Sequence, residues 1–187
     1  MKYNREKHCR RSIRMSGYDY RREGMYFITV CTWDRQSFFG EIVDGAMQLN
    51  PYGEIACRYW RAIPEHFPHV ALDVYVIMPN HVHCIIAVGA RHAVPLPSSL
   101  ERFGNPVAGS IPTIIRSFKS SVTKHINELR QTPGLPLWQR NYYEHVVRDE
   151  DSLLRIRQYI LHNPSRWLFD HENPAATTTD PLDAWRS

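Results

Sequence analysis

Apolar and polar positions follow two rhythms along this chain, one of two residues and one near three and a half, and their alternation divides it into elements. The run MYFITVCTW (25–33) is β-branched and aromatic and reads as a strand. SFFGEIVDGAMQLN (37–50) follows with two glycines and reads as a hairpin-like excursion. Asn50 and Pro51 supply an N-cap and a first-turn proline, and Ile55, Tyr59 and Ile63 continue at helical spacing to about Pro64. Two apolar strands are expected at roughly 70–78 and 81–88, hinged at Met78-Pro79-Asn80. Three prolines, three glycines and three serines make 89–110 one long loop. Ser110 and Pro112 restart a helix. Its apolar stripe of Ile111, Ile114, Ile115, Phe118, Val122, Ile126 and Leu129 is the strongest periodic signal in the chain. Thr132-Pro133-Gly134 breaks that helix, and LWQRNYYEHVV (137–147) reads as a further strand. Residues 148–164 read as a short helix, with acids in the first turn and Pro164 at its end. The last residues are poor in apolar side chains and net acidic, which predicts a loosely held tail over 169–187.

After a basic arm (1–24) the order is therefore β, α, β, β, α, β, α. It predicts an α+β fold, the ferredoxin-like β-α-β-β-α-β sandwich, with an extra C-terminal helix. Such a sheet is antiparallel, carries its helices on one face and leaves the other for a ligand. The 187 residues suffice for one domain with a sizeable core and are few for two, so the folded unit is placed at 25–168.

Charge sharpens this picture at one end. The net charge is +4, yet residues 1–22 alone hold eight basic side chains against Glu6 and Asp19. A basic arm on a nearly neutral body suits contact with phosphate backbones, and a solvated tail explains it equally. Asp73 and Asn80 interrupt the most apolar stretch, so no run approaches bilayer length, and the basic start leads into no apolar signal segment. Cys9, Cys31, Cys57 and Cys84 form no Cys-x-x-Cys pair. Reduced thiols and a cytoplasmic location are expected.

Candidate chemistry concentrates at His81-Val82-His83, the mouth of an otherwise apolar strand. Residues i and i+2 of a strand face one way, about 6.6–6.8 Å apart, so the two imidazoles project together. Val82, Cys84, Ile86 and Val88 face the other way, which argues against the Cys84 thiol as a zinc co-ligand. Two surface histidines, or one satisfied by a backbone carbonyl, are the better account of the pair until a third ligand is found. On the last helix Tyr159 and Asn163, four apart, share a face on the flank of a stripe of Leu153, Ile156, Ile160 and Leu161. Two imidazoles and an amide oxygen form a mixed nitrogen–oxygen set suited to Mg²⁺ or Mn²⁺ bound to phosphate. A tyrosine beside such a set is placed to attack a phosphodiester. Taken singly, packing explains Tyr159 and a helix C-cap explains Asn163. Tyr142 and Tyr143 face opposite ways on a strand, one expected to pack and the other available to stack on a base.

PNHVHCII resembles the His-hydrophobic-His (HUH) motif of the single-tyrosine HUH transposases. LWQRNYYEHVVRDEDSLLRIRQYILHNPSRW is similar to the C-terminal block of the REP-associated tyrosine transposases. IRSFKSSVTKHIN and RRSIRMSGYDYRREGMYFITVCTWDRQSFFGEI resemble one branch of that group, all in the same order over roughly residues 10–168. The resemblance implies a ferredoxin-like core that binds single-stranded DNA, often folded as a REP-like hairpin. It implies a divalent metal ion, Mg²⁺ or Mn²⁺, on His81 and His83, and Tyr159 as the nucleophile. Asn163 stands where the family draws its third ligand, usually glutamine in the insertion-sequence relatives. The implied reaction forms a 5′-phosphotyrosine and frees a 3′-OH. Ile160, Leu161, His162 and Asn163 follow Tyr159 with no second tyrosine, as in the single-tyrosine class. Arg10, Arg11, Arg14, Arg116, Lys119, Lys124 and Arg140 are expected to contact DNA, and a solvated helix face explains those on the long helix equally. The location implied is cytoplasmic, at the bacterial nucleoid. Monomer and homodimer stay open, as does whether the tyrosine serves its own subunit or a partner. Two other functions fit the residues: a ferredoxin-like nucleic-acid-binding module without chemistry, and a metal-dependent phosphoesterase using water.

Overall fold

The computed structural model of the chain describes residues 23–89, 109–176 and 178. The basic arm with Arg10, Arg11 and Arg14, most of the expected long loop and the end of the tail lie outside these residues. Strand β1 (Gly24–Cys31) pairs antiparallel with β5 (His81–Val88) on one side and β6 (Tyr143–Val147) on the other. Strand β4 (Val70–Ile77) pairs antiparallel with β5, giving the order β4-β5-β1-β6. With helix α1 (Pro51–Arg61) between the first two of these strands and α3 (Ile111–Leu129) between the last two, this is the ferredoxin-like arrangement. The short helix α2 (Ile63–His66) extends α1, and α4 (Glu150–His162) is the additional C-terminal helix. The hairpin of β2 (Gly40–Val43) and β3 (Ala46–Leu49) forms a separate two-stranded sheet. It turns at Asp44-Gly45, whose φ values of 50° and 75° are the primed-turn geometry favoured by Asp-Gly.

Local signals set the helix starts. Asn50 Oδ1 accepts the Tyr52 and Gly53 N–H groups at 2.9 and 3.0 Å, and Asp149 Oδ1 accepts the Ser152 N–H at 2.7 Å. The period of two then divides the sheet. Tyr26, Ile28, Val30, Val82, Cys84 and Ile86 face α1 and α3 and build the main core with Trp60, Ile114 and Phe118. Phe27 and Ile85 face the other way and meet Ile156, Tyr159 and Ile160 of α4 in a smaller core.

That second core corrects the expectation of a face left free. Helices α1 and α3 occupy one face, as predicted, but α4 closes over the other. Burying Ile156 and Ile160 against Phe27 and Ile85 stabilises this docking by about 1.5–3 kcal/mol per side chain. The stripe of α4 is also rotated from the predicted one: Leu161 is exposed and Tyr159 is buried within it. The strand expected over 137–147 is shorter. Trp138 makes only an isolated bridge with Thr32, and pairing with β1 is confined to 143–147. The reason lies in Lys119, whose Nζ donates to the carbonyls of Gln139, Arg140 and Asn141 at 2.5, 3.5 and 3.2 Å and draws that segment off the sheet. Among the described residues, no helix is long and apolar enough to cross a membrane.

Candidate active site

His81 and His83 open β5, and the register sets Cys31 opposite His81 and Thr29 opposite His83. Both imidazoles are fully buried beneath α4, with ring centroids 4.2 Å apart. Each is held through Nδ1: His83 Nδ1 lies 2.9 Å from Thr29 Oγ1, and His81 Nδ1 lies 2.7 Å from Asn80 Oδ1. Asn80 Nδ2 donates to the carbonyls of Arg35 and Glu172 at 3.1 and 2.8 Å, which fixes Oδ1 as its acceptor. The proton of neutral His81 therefore sits on Nδ1 and its lone pair on Nε2, the tautomer a metal ligand needs.

From α4, Tyr159 Oη comes within 2.9 Å of His83 Nε2 although 76 residues separate them in the chain. Its hydroxyl donates to Asp170 Oδ2 at 3.0 Å. Asn163 Nδ2 donates to the same carboxylate oxygen, and Asn163 Oδ1 is buried without a hydrogen-bond partner. Tyr159 is 2% exposed and Asp170 1% exposed, so the cluster is closed to solvent. All of these side chains belong to one chain, so one copy of the protein brings the four predicted residues together.

Asp170 was invisible to the sequence reading, which placed it in a loosely held tail. The chain leaves α4 through a 3₁₀ stretch (Pro164–Phe169), and Asp170, Glu172 and Asn173 are buried behind it. Asp170 Oδ1 accepts the Glu172 N–H at 2.7 Å, while Oδ2 meets Tyr159, Asn163 and, at 3.6 Å, His83 Nε2. Burial alone would raise this carboxyl. The hydrogen bond with His83, the nearby charges of His81 and His83, and the bond from Asn163 outweigh it and hold Asp170 well below the usual carboxylate range. Its carboxylate and the two imidazoles each bring a potential ligand atom to within 4.8 Å of one another. Two imidazole nitrogens, a carboxylate and the orphaned Asn163 oxygen are a donor set that fits a hard divalent cation such as Mn²⁺ or Mg²⁺.

The remaining predicted residues are dispersed. Arg116 and Arg140 are exposed, and Lys124 is exposed with Nζ 4.0 Å from Glu128. Lys119 is turned inward, its ammonium taken by three carbonyls, so it does not present its charge to solvent as expected. Tyr142 packs on the main core and Tyr143 on the smaller one, edge-on to Phe27 at 6.1 Å, so neither is a bare platform. His162 points away, its Nδ1 2.8 Å from the carbonyl of Gln158.

The site is thus a buried His-x-His pair on a ferredoxin-like sheet, met from a C-terminal helix by a tyrosine and an amide. No family model matches the chain. A Haemophilus influenzae protein known only as "Uncharacterized protein" is 43% identical over 171 residues, covering 89% of this chain and 94% of its own length. The chain belongs to one family with that protein. A second Haemophilus influenzae relative, named "Putative REP-associated tyrosine transposase", is 23% identical over 152 residues, 80% of this chain and 76% of that protein. The fold is that of a solved REP-associated tyrosine transposase bound to a REP hairpin, with a TM-score of 0.53 at 21% identity, over 82% of this chain and 74% of that one. The chain is thus similar in sequence to one protein named as a REP-associated tyrosine transposase and shares its fold with another.

Proposed function

We propose that this protein is a metal-dependent DNA strand transferase of the single-tyrosine HUH class, a transposase that cuts and rejoins single-stranded DNA beside a hairpin. The observation that carries the proposal is the convergence of Tyr159 Oη on His83 Nε2 at 2.9 Å, with His81, Asn163 and Asp170 around them. A binding module without chemistry has no need of a tyrosine buried against two histidines. The names of the relatives, one a REP-associated tyrosine transposase and one solved with a REP hairpin, support a REP-like hairpin as the DNA.

In this reading His81 and His83, with an oxygen of Asn163 or Asp170, would hold the divalent cation. Such a cation, when bound, supplies positive charge against the scissile phosphate. Tyr159 is the nucleophile: a bond forms between its oxygen and phosphorus as the bond from phosphorus to the 3′ oxygen breaks. The 5′ end stays on Tyr159 and the other strand leaves as a free 3′-OH. Asp170 Oδ2, which already accepts the Tyr159 hydroxyl, orients it for attack, and the proton that the phenol gives up is the one the departing 3′ oxygen takes to become a hydroxyl. Attack by a 3′-OH reverses the step and rejoins DNA. A phosphodiester needs room that the closed cluster does not offer, so the reaction begins with an outward shift beside Tyr159. Arg116 and Arg140, exposed on the described surface, and Arg10, Arg11 and Arg14 of the basic arm are the proposed phosphate contacts.

The test is to incubate the protein with hairpin-bearing single-stranded DNA and Mn²⁺ or Mg²⁺ and look for a denaturation-resistant protein–DNA adduct. The expected adduct disappears in Tyr159→Phe while DNA binding persists. Cleavage that survives in Tyr159→Phe points instead to a phosphoesterase using water, and binding without cleavage under either metal leaves only the module.

A further inference from the structure

Beyond the reacting groups, one aromatic side chain stands out by its placement. Trp60 and Trp138 lie in the main core against Phe118, at 5.2 and 5.5 Å between ring centroids. Trp167 is half-buried with its ring 6.0 Å from that of His81. Trp33 is 51% exposed, and its ring meets no other ring among the described residues. It begins a tight turn (Trp33–Arg35) just beyond Cys31, the residue paired with His81.

That turn is strained yet firmly held. Asp34 and Arg35, neither a glycine, both adopt φ of 52°, in the left-handed region. The Thr32 and Trp33 N–H groups donate to the carbonyls of Asn80 and Leu137, each at 2.8 Å. Thr32 Oγ1 lies 2.7 Å from the Gln36 carbonyl and 2.9 Å from that of Asn80, and Asn80 Nδ2 donates to the Arg35 carbonyl. The same Asn80 holds His81 by its ring. Neither a left-handed pair of ordinary residues nor a bare indole stabilises the fold. Together they form a rigid mount for an exposed aromatic ring, bolted to the residue that orients His81.

We infer that Trp33 is a base-stacking platform for single-stranded DNA, taking the nucleobase of a nucleotide near the scissile phosphate. The inference rests on the strand-transferase reading and adds to it the subsite that holds the single-stranded flank. An indole face suits this ligand because every base offers a π face, so stacking tolerates sequence. A turn whose backbone is already held also has less freedom to lose on binding than a mobile loop. Arg35 next to it is committed to Glu172 at 3.1 Å, which favours a base over a phosphate as the ligand of this turn. Through Asn80 the platform and His81 share one support, so a base stacked on Trp33 sets the reach of its phosphate toward the histidines.

The experiment measures Kd by fluorescence anisotropy in a Tyr159→Phe background, where no adduct forms. The probes are a labelled hairpin with a single-stranded flank and the same hairpin without it. Trp33→Ala should weaken binding of the flanked hairpin by about tenfold, within the roughly 5- to 150-fold range of one base–aromatic stack, and leave the bare hairpin unchanged. Trp33→Tyr should stay within about threefold of the parent, since an aromatic face is retained. An abasic site at one flank position should weaken the parent as much as Trp33→Ala does and add nothing to Trp33→Ala. Unchanged affinity of Trp33→Ala for the flanked hairpin, or equal loss on the bare hairpin, overturns the inference. The adduct assay with Tyr159 present separates the two readings. An adduct without a Trp33 effect removes only the platform, and a Trp33 effect without an adduct removes only the strand transfer.

Discussion

One charged contact ties the helix bearing Tyr159 to the edge of the sheet, and breaking it has a consequence that can be worked from the geometry. Arg157 Nε and Nη2 both donate to Asp73 Oδ2, at 2.9 and 2.7 Å. Asp73 lies where the β4–β5 register slips between Leu72 and Tyr75, and its Oδ1 accepts the Val74 N–H at 2.8 Å. The side chains are 35% and 18% exposed for Arg157 and Asp73. A fully exposed pair contributes about 0–1 kcal/mol, and a hydrogen bond to a charged group about 1.5–3 kcal/mol. Two such bonds, discounted for solvent screening at this exposure, leave a coupling of about 1–2 kcal/mol. The apolar docking of α4 rests on few residues, chiefly Ile156, Tyr159 and Ile160. Losing about 1.4 kcal/mol from it raises the undocked population about tenfold. Asp73→Ala, Arg157→Ala and the double variant form a cycle read by denaturant unfolding. Native-state hydrogen exchange is read alongside it. The expected result is a coupling near the worked value and about tenfold faster exchange in α4, with β1 and β5 little changed. A coupling below about 0.3 kcal/mol, or loss of protection spread equally over sheet and helix, refutes the claim that this pair sets the docking of α4.

Other outcomes follow from the same geometry. Asn80→Ala strands the His81 Nδ1 proton and two buried carbonyls; it should cost about 2–3 kcal/mol of stability and weaken Mn²⁺ binding about 10- to 100-fold by calorimetry. Mn²⁺ affinity equal to that of the parent would mean His81 does not need this support. Burial lowers the Lys119 ammonium from 10.5 to about 8, so the unfolded chain holds that proton more tightly. The penalty is present in full below pH 8 and is relieved as pH rises toward 10.5. Stability of the parent relative to Lys119→Met should therefore increase across that window in thermal melts, and a flat difference would contradict a buried charge.

Much of this architecture was legible in the residues because it is local. A period of two told which way His81, His83 and Cys84 point on β5, and a period of 3.6 put Tyr159 and Asn163 on one side of α4. Asn50 with Pro51, and the acids in the first turn of 148–164, marked helix starts by chemistry complete within four residues. Lys119 was misread for the opposite reason: its long stem permits either a solvated charge or an inward one, and only the carbonyls of 139–141 decide. The first part of the strand expected over 137–147 failed with it, since the carbonyls of 139–141 were already taken.

Residue spacing alone set the order of strands and helices, the shared face of the two histidines and the shared face of tyrosine and amide, since backbone geometry repeats every two or 3.6 residues. It took the packed fold to close α4 over the histidine face rather than leave it open, to bring Tyr159 to His83 within one chain, and to add Asp170 to them. Those facts depend on docking between segments far apart in the chain, and no periodicity encodes such distances. An aspartate in a polar stretch looks the same whether it ends in water or, as here, buried among two imidazoles, a phenol and an amide that satisfy its charge.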